Sequence, residues 1–423
     1  MKRSMEQADL LFLKLFRAAL KGEKADPGQE VTDAQWKRIF DLAAAHHVLP
    51  MIYEAASPAQ VPGVMRYKHA ALQMVMLQAQ KTCAFLEVYQ ALREAQLHPL
   101  VVKGIVCRSL YPKPDLRLST DEDLLIPQQE VLRCRQVLQE QGLTPAGQQA
   151  DPEAEYEIPY TRSGSMVYIE LHKSLFPPEG EAYGEWNRFF AAVHERPEEL
   201  TIDGTTLLTM QPTDHLFYLI CHAFKHFLHS GVGIRQAADI ALFANRYGSR
   251  VDWQYILEGC RQIHAEKFTA ALLRIGEKYL TFDPDKADYP EVWRRIHVDE
   301  RALLMDLIDA GVYGSSSMSR RHSSTMTLHA VAAEKKGKSG TGGADSALHS
   351  VFPPAAELKS RYPYLRKYPW LLPAAWASRI AGYLRETAAG KQDNNAAASL
   401  RIGERRIELL REYGVLEGEN RRR

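Results

Sequence analysis

From Asp9 to about Gln96, apolar residues recur at three- and four-residue spacing, as in Leu10, Leu13, Phe16 and Leu20 and later Leu72, Val75 and Leu86, which predicts several helices. Val31-Thr32-Asp33 ahead of Trp36, Ile39 and Leu42 reads as a capped helix start. The period then changes. LHPLVVKG is a short β-branched run ended by Gly104; it leads into a helical IVCRSLY, a turn at PKPD and a second strand at DEDLLIP. QQEVLRCRQVLQEQG predicts a helix that stops at Gly142, and EYEIPYTRSGSMVYIELH predicts two strands about a turn at Ser163-Gly164-Ser165. From about Gln211 to Leu280 helices return, starting at Pro212-Thr213-Asp214 and again near Val251.

The expected fold class is therefore α+β, a small mixed sheet flanked by mainly helical regions. Its parts are a helical lead-in over 1–96, an α/β core over 97–205 and a helical domain over 206–312. Residues 313–350 are poor in large apolar side chains and rich in Ser, Gly and Lys, which predicts a mobile loop. A helical strap and tail fill 351–423, with ETAAGKQDNNAAAS as a linker inside them. In the tail, Ile402, Ile407, Leu409 and Leu410 among charges predict an amphipathic helix that docks on the body or on a partner. No repeat recurs at a fixed period.

Composition narrows this little. The 423 residues are 45% hydrophobic and 25% charged, with 26 Gly and 22 Pro, which excludes a collagen-like, wholly disordered or disulfide-scaffold chain. A formal charge of +1 gives no global field for nucleic acid, so a nucleic-acid partner has no support from net charge, although a local patch is compatible with one. The cysteines, Cys83, Cys107, Cys134, Cys221 and Cys260, form no C-x-x-C pair, which argues for a reducing, cytoplasmic setting and against a cysteine zinc site. Glu6, Asp9, Lys14 and Arg17 break up the first apolar stretch, unlike a signal-peptide core. Pro373 and Arg379 interrupt the apolar segment from Trp370 to Tyr383, so no transmembrane segment is expected.

The candidate chemistry centres on Asp121-Glu122-Asp123, because period two puts Asp121 and Asp123 on one face of a strand and Glu122 on the other. Two such carboxylates suit Mg²⁺ or Mn²⁺, and Glu170 on a neighbouring strand would supply a third. A solvated acidic edge is the plainer alternative. Lys103-Gly104 closes one strand and opens a helix, where backbone N–H groups can face a phosphate; Lys113 and Arg117 add positive charge, and Ser119 and Thr120 stand just before the acids. Gly104 as a simple turn is the competing reading.

His215, His222, His226 and His229 fall near one stripe of a helix. They are read as partly buried or solvated, as cleft residues with His222 and His226 touching substrate or phosphate, or as a zinc site, in that order. Asp239 is expected to pair with Arg235, with a place in the substrate cleft as the alternative, and His172 shares the face of Glu170. The late aromatic segment, Tyr362, Tyr364, Tyr368, Trp370 and Trp376 with Arg361, Arg366 and Lys367, is expected to pack as core or lid rather than form a nucleic-acid or membrane surface.

The ordered series VVKG, LYPKPDLRLSTDEDLLI, YIELHKSLFP, HAFKHFLHSGVGIRQAADIALFANRYGSRVDWQYI and YPYLRKYPWLLPAAW resembles the uncharacterised bacterial nucleotidyltransferase family of the DNA polymerase beta-like superfamily. The resemblance implies Asp121 and Asp123 as metal ligands, Glu170 as the third carboxylate and Lys103-Gly104 in the nucleotide-phosphate loop. It implies Mg-dependent transfer from an NTP such as ATP to an acceptor hydroxyl or phosphate, on a small molecule or a macromolecule. The chain departs from the superfamily's pattern in its Lys-Gly loop, in the residues 105–120 that separate Gly104 from Asp121, and in Glu122 between the acids. These departures motivate an alternative, a degenerate nucleotide-binding or scaffolding protein; a zinc hydrolase built on the histidine stripe is the third reading.

Overall fold

The computed structural model describes residues 5–27, 31–57, 61–146, 155–312, 318–335, 352, 355–358, 362, 364–388 and 396–416. The chain divides into two compact units, one of residues 1–223 and 234–300, the other of 224–233 and 301–423.

The first unit begins with α1 (Gln7–Leu20), α2 (Asp33–Ala45), α3 (Leu49–Ala56), α4 (Pro62–Met65) and the long α5 (Lys68–Glu94). Helix α2 starts where the sequence predicts: the Thr32 hydroxyl accepts the Gln35 N–H at 3.3 Å and the Gln35 side chain accepts the Thr32 N–H at 2.9 Å. Strand β1 (Leu100–Val102), α6 (Gly104–Arg108), β2 (Glu122–Leu125), α7 (Val131–Glu140), β3 (Leu143–Pro145), β4 (Glu157–Arg162) and β5 (Tyr168–His172) follow the predicted order. A hairpin of β6 (Glu198–Ile202) and β7 (Thr205–Thr209) completes a mixed sheet in the order β3-β4-β5-β2-β1-β7-β6. Sequence reasoning missed this hairpin. Its signal is Asp203-Gly204, both at positive φ (47° and 80°), between the alternating ELTI and TTLLT, the pair favoured by a two-residue turn that matches strand twist.

Burial explains the two faces of the sheet. Val101, Leu124, Ile158, Ile169 and Leu171 share one face and pack with Phe85, Tyr89 and Leu92 of α5 and with Val137 and Leu138 of α7. Period two sends Asp123, Glu170 and His172 to the opposite face. That face meets α8 (Pro212–His229), after which α9 (Ile234–Tyr247), α10 (Trp253–Gln262), α11 (Glu266–Tyr279) and α12 (Glu291–Arg294) close the unit. Asp252 caps α10 by accepting the Tyr255 N–H at 2.9 Å.

In the C-terminal stretch, α13 (Glu300–Ala310) precedes α14 (Met318–Lys335), which lies where composition predicts a mobile loop. The correction has a local cause: Met326, Ala330, Val331 and Ala333 give that segment a buried stripe that the average composition hides. The rest of the expected loop, 313–317 and 336–350, lies outside the described residues, as do 389–395 of the linker. Short α15 (Ala355–Leu358) and α16 (Tyr364–Lys367) lead to α17 (Leu372–Ala388) and α18 (Ala396–Glu412). Helix α18 buries Ile407, Leu409 and Leu410 as the tail's pattern predicts. A Cβ on its Gly403 would lie 2.6 Å from Met326 Sδ, so a larger residue there would require the flexible Met326 side chain to shift. Among the described residues no helix is long and apolar enough to cross a membrane.

Tyr89 ties the β1–β7 junction together. Its hydroxyl donates to Pro99 O at 3.0 Å and accepts from Leu208 N at 2.8 Å, beside the Leu100–Leu208 pairing of these parallel strands. Tyr89→Phe strands two buried backbone groups and is expected to cost about 1–3 kcal/mol in urea unfolding; an unchanged midpoint would show that the bridge contributes nothing.

Candidate active site

Parallel pairing of β2 with β5 sets Asp123 beside Glu170, and the antiparallel β4–β5 register sets Glu157 beside His172. Among the described residues, Asp123, Glu170 and His172 are the one group of three or more His, Cys, Asp or Glu donors whose ligand atoms converge, all within 4.8 Å of one another. His172 therefore takes the place in this group that the sequence reading gives to Asp121. Asp121 stands one residue before β2 and interacts electrostatically with Asp123.

Cations already face these acids. Asp123 Oδ1 receives Lys103 Nζ at 2.9 Å and His172 Nε2 at 3.0 Å, while its buried Oδ2 has no hydrogen-bond partner among the described residues. Burial opposes ionisation of Asp123, but the Lys103 charge and the His172 hydrogen bond outweigh it and hold the carboxyl down at about 2. Burial likewise opposes charge on His172, yet hydrogen bonds to Asp123 and Glu170 raise it to about 9. For Asp121, burial and the Asp123 charge push the pKa up. The set thus holds an ionised Asp123 between an ammonium and an imidazolium. Its orphaned Oδ2, with the Glu170 carboxylate close by, fits a divalent cation, while the His172 imidazolium holds Oδ1.

Lys103 is held in an unusual backbone conformation, φ 59° and ψ −128°, at the start of α6. His215 supports it. Thr209 Oγ1 spends its proton on Val101 O at 2.7 Å, so His215 Nδ1–H donates to Thr209 over 3.1 Å and His215 Nε2 accepts the Lys103 N–H at 3.3 Å. Complete burial keeps this imidazole neutral, its pKa pushed down to about 3. Lys103 Nζ also lies 3.1 Å from His222 Nε2, which can only accept from an ammonium. His215 and His222 thus join the site through Lys103; His226 and His229 belong to the second unit.

Gly104 answers to a carboxylate of the protein itself. A Cβ there would meet Glu122 Oε2 at 2.0 Å. That oxygen accepts the Ile105 N–H at 2.7 Å, and Oε1 accepts from Arg108 NH1 at 2.8 Å and Ser119 Oγ at 3.0 Å. The helix-start N–H expected to face a phosphate is thus spent on Glu122. Lys81 of α5, which the sequence reading missed, donates to the carbonyls of Ser119 (2.9 Å) and Thr120, so these residues hold the loop ahead of the acids. No sequence signal could have found Lys81, because it lies on a helix of mixed polarity remote from the loop in the chain.

Three expectations need correction. Asp239 pairs with Arg117 rather than Arg235: Arg117 Nε and NH2 each lie 2.7 Å from its oxygens, and Tyr111 OH donates at 2.7 Å. Arg235 instead donates to the Leu118 carbonyl. The forked Arg117 guanidinium can hold both carboxylate oxygens at once, and burial of both partners leaves neither a surface charge for phosphate. Lys113, expected to add charge near the acids, pairs with Glu54 at 2.6 Å.

A family model described as an uncharacterised nucleotidyltransferase matches residues 32–281. This span covers more than half of the chain and contains every residue of the cluster, and the chain belongs to that family. No curated protein and no solved structure matches it.

Arg117→Met leaves Asp239 buried without its cation and is expected to cost about 3–5 kcal/mol in urea unfolding, while Arg117→Met with Asp239→Leu recovers most of the loss. The pH dependence follows from His215: its folded value of about 3 lies below the ordinary 6.5, so only the unfolded chain takes up this proton between those limits. Stability should therefore fall as pH drops from 6.5 toward 3, with His215 adding up to about 1.4 kcal/mol per pH unit. His215→Gln should flatten that slope in urea unfolding at stepped pH; an unaltered slope would refute a neutral buried His215.

Proposed function

We propose that this nucleotidyltransferase-family chain moves a nucleotidyl group from an NTP to an acceptor hydroxyl or phosphate. The observation that supports it most is the register of Asp123 against Glu170, with Asp123 Oδ2 buried and unmatched. In this reading Asp123 and Glu170, with Asp121 at the edge of β2, would hold Mg²⁺ or Mn²⁺, and His172 orients the Asp123 carboxylate through its Oδ1. When bound, such an ion offsets the charge that develops on the transferred phosphate. Lys103, poised between Asp123 and His222, meets the phosphate chain of the nucleotide. Glu170 is the less buried of the paired carboxylates, 19% exposed against 1% for Asp123, and it orients the acceptor hydroxyl and takes its proton.

One observation favours a second reading, a nucleotide-binding protein without transfer. Glu122 fills the place at the start of α6 where backbone N–H groups would otherwise take a phosphate. The zinc reading, which rests on His222 and His226, draws no comparable support: among the described residues neither belongs to a converging group of three or more His, Cys, Asp or Glu donors.

The test is pyrophosphate release from each of the four NTPs with Mg²⁺ or Mn²⁺, alongside nucleotide binding by thermal shift. Asp123→Asn is expected to lower release about a hundredfold or more while the protein still melts cooperatively. Equal release in the variant would sink the assignment, and binding with no release under any condition would favour the second reading.

A further inference from the structure

We infer that Lys81 and Arg235 form the seat of the nucleotide's β- and γ-phosphates, beside the candidate acids; this rests on the transfer reading above. The cations around the loop before β2 divide into two groups. Lys103 is paired with Asp123, Arg108 with Glu122 and Arg117 with Asp239. Lys81 and Arg235 are 6% and 2% exposed, yet neither pairs with a carboxylate among the described residues. A buried charge without a counter-charge is costly in a folded protein.

What these two cations hold is backbone. Lys81 Nζ donates to Ser119 O at 2.9 Å and to Thr120 O, and Arg235 NH1 donates to Leu118 O, so both touch the residues that lead into Asp121. An ammonium has three N–H groups, which leaves Lys81 one to give. Arg235 Nε is buried and without a hydrogen-bond partner among the described residues. The two charges repel each other, and Arg235 is the second residue of α9, where the helix dipole is itself positive. Asp121 and Glu122 reach Lys81 through their field, but burial outweighs them and holds the ammonium below its ordinary pKa. Each of these costs falls when an anion binds. Thr120 is exposed, so the loop opens to solvent beside Asp121, whereas Glu122 already occupies the start of α6. Two positive charges on one loop suit a chain of phosphates. A single phosphate on the acceptor shares this chemistry, and the experiment separates the two.

Calorimetric titration of the full chain in Mg²⁺ with inorganic tripolyphosphate, with orthophosphate, and with each NTP beside its NMP tests the inference. Tripolyphosphate is expected to bind about tenfold more tightly than orthophosphate and to compete with the NTP. Lys81→Gln and Arg235→Gln should each weaken tripolyphosphate and the NTP about tenfold, the loss of one hydrogen bond from a charged donor, and leave NMP affinity as it is. Lys81→Arg and Arg235→Lys keep the charge and should recover part of that loss. Should a Gln variant fail to melt cooperatively, the wild-type comparison and the charge-keeping variants still decide. Tripolyphosphate bound no more tightly than orthophosphate, as at a seat for an acceptor phosphate, would overturn the inference. So would unchanged affinity in the Gln variants, or an equal loss for NTP and NMP, as expected of cations that only hold the loop. None of these readings uses pyrophosphate release, so a failed transfer and a failed phosphate seat are distinguishable.

Discussion

The local geometry of the candidate site depends on the burial of Glu122. A carboxylate that is 0% exposed must have every oxygen matched, and here Ile105 N–H, Arg108 and Ser119 do so. Those bonds draw α6, β2 and the loop before β2 to one point, and Arg108 extends the link to Thr82 of α5. Because side chains alternate along a strand, anchoring Glu122 on the α5 side turns Asp123 to the α8 side. The same carboxylate excludes a Cβ at residue 104, so one buried charge accounts both for the glycine and for the direction of the acid.

On the α8 side the electrostatics are built from long-range partners. His215 works as a neutral hydrogen-bond relay: it holds the backbone of Lys103 in a conformation that few lysines adopt, and the side chain of Lys103 then reaches Asp123. Lys103 and His172 both meet Oδ1 of Asp123 and leave Oδ2 unmatched. A buried polar atom without a partner is costly in a folded protein, and its persistence beside Glu170 is the physical basis for reading the cluster as a ligand site.

The second unit shows the same economy of charge. Arg406, fully buried and with its pKa lowered by burial to about 10, donates to the carbonyls of Phe227 and His229, and Arg320 donates to Ser230 and Asp306. Arg406 thus satisfies carbonyls of the last turn of α8, and Arg320 the carbonyl just after it. Helical spacing puts Arg406, four after Ile402 and four before Leu410, on the apolar stripe and Arg405 at its edge, but it does not say which carbonyls the buried guanidinium meets.

What the sequence determined by itself was local. The strand–helix–strand order, the opposed directions of Asp123 and Glu122, the capped start at Thr32, the helix start near Val251 and the apolar stripe of the tail follow from residue type and spacing along a few residues, where backbone period dictates side-chain direction. The Asp203-Gly204 turn was legible in the same way. Only the tertiary structure decided which charges meet. Lys103 finds His215 across 112 residues and Arg117 finds Asp239 across 122, separations over which no periodicity carries information. Arg117 was expected to add charge for phosphate and is instead internal to the fold, and Trp370, expected to pack as core or lid, is 73% exposed. In each case residue type stated what a side chain could do, and the packing of distant elements, which sets its neighbours and its burial, selected what it does.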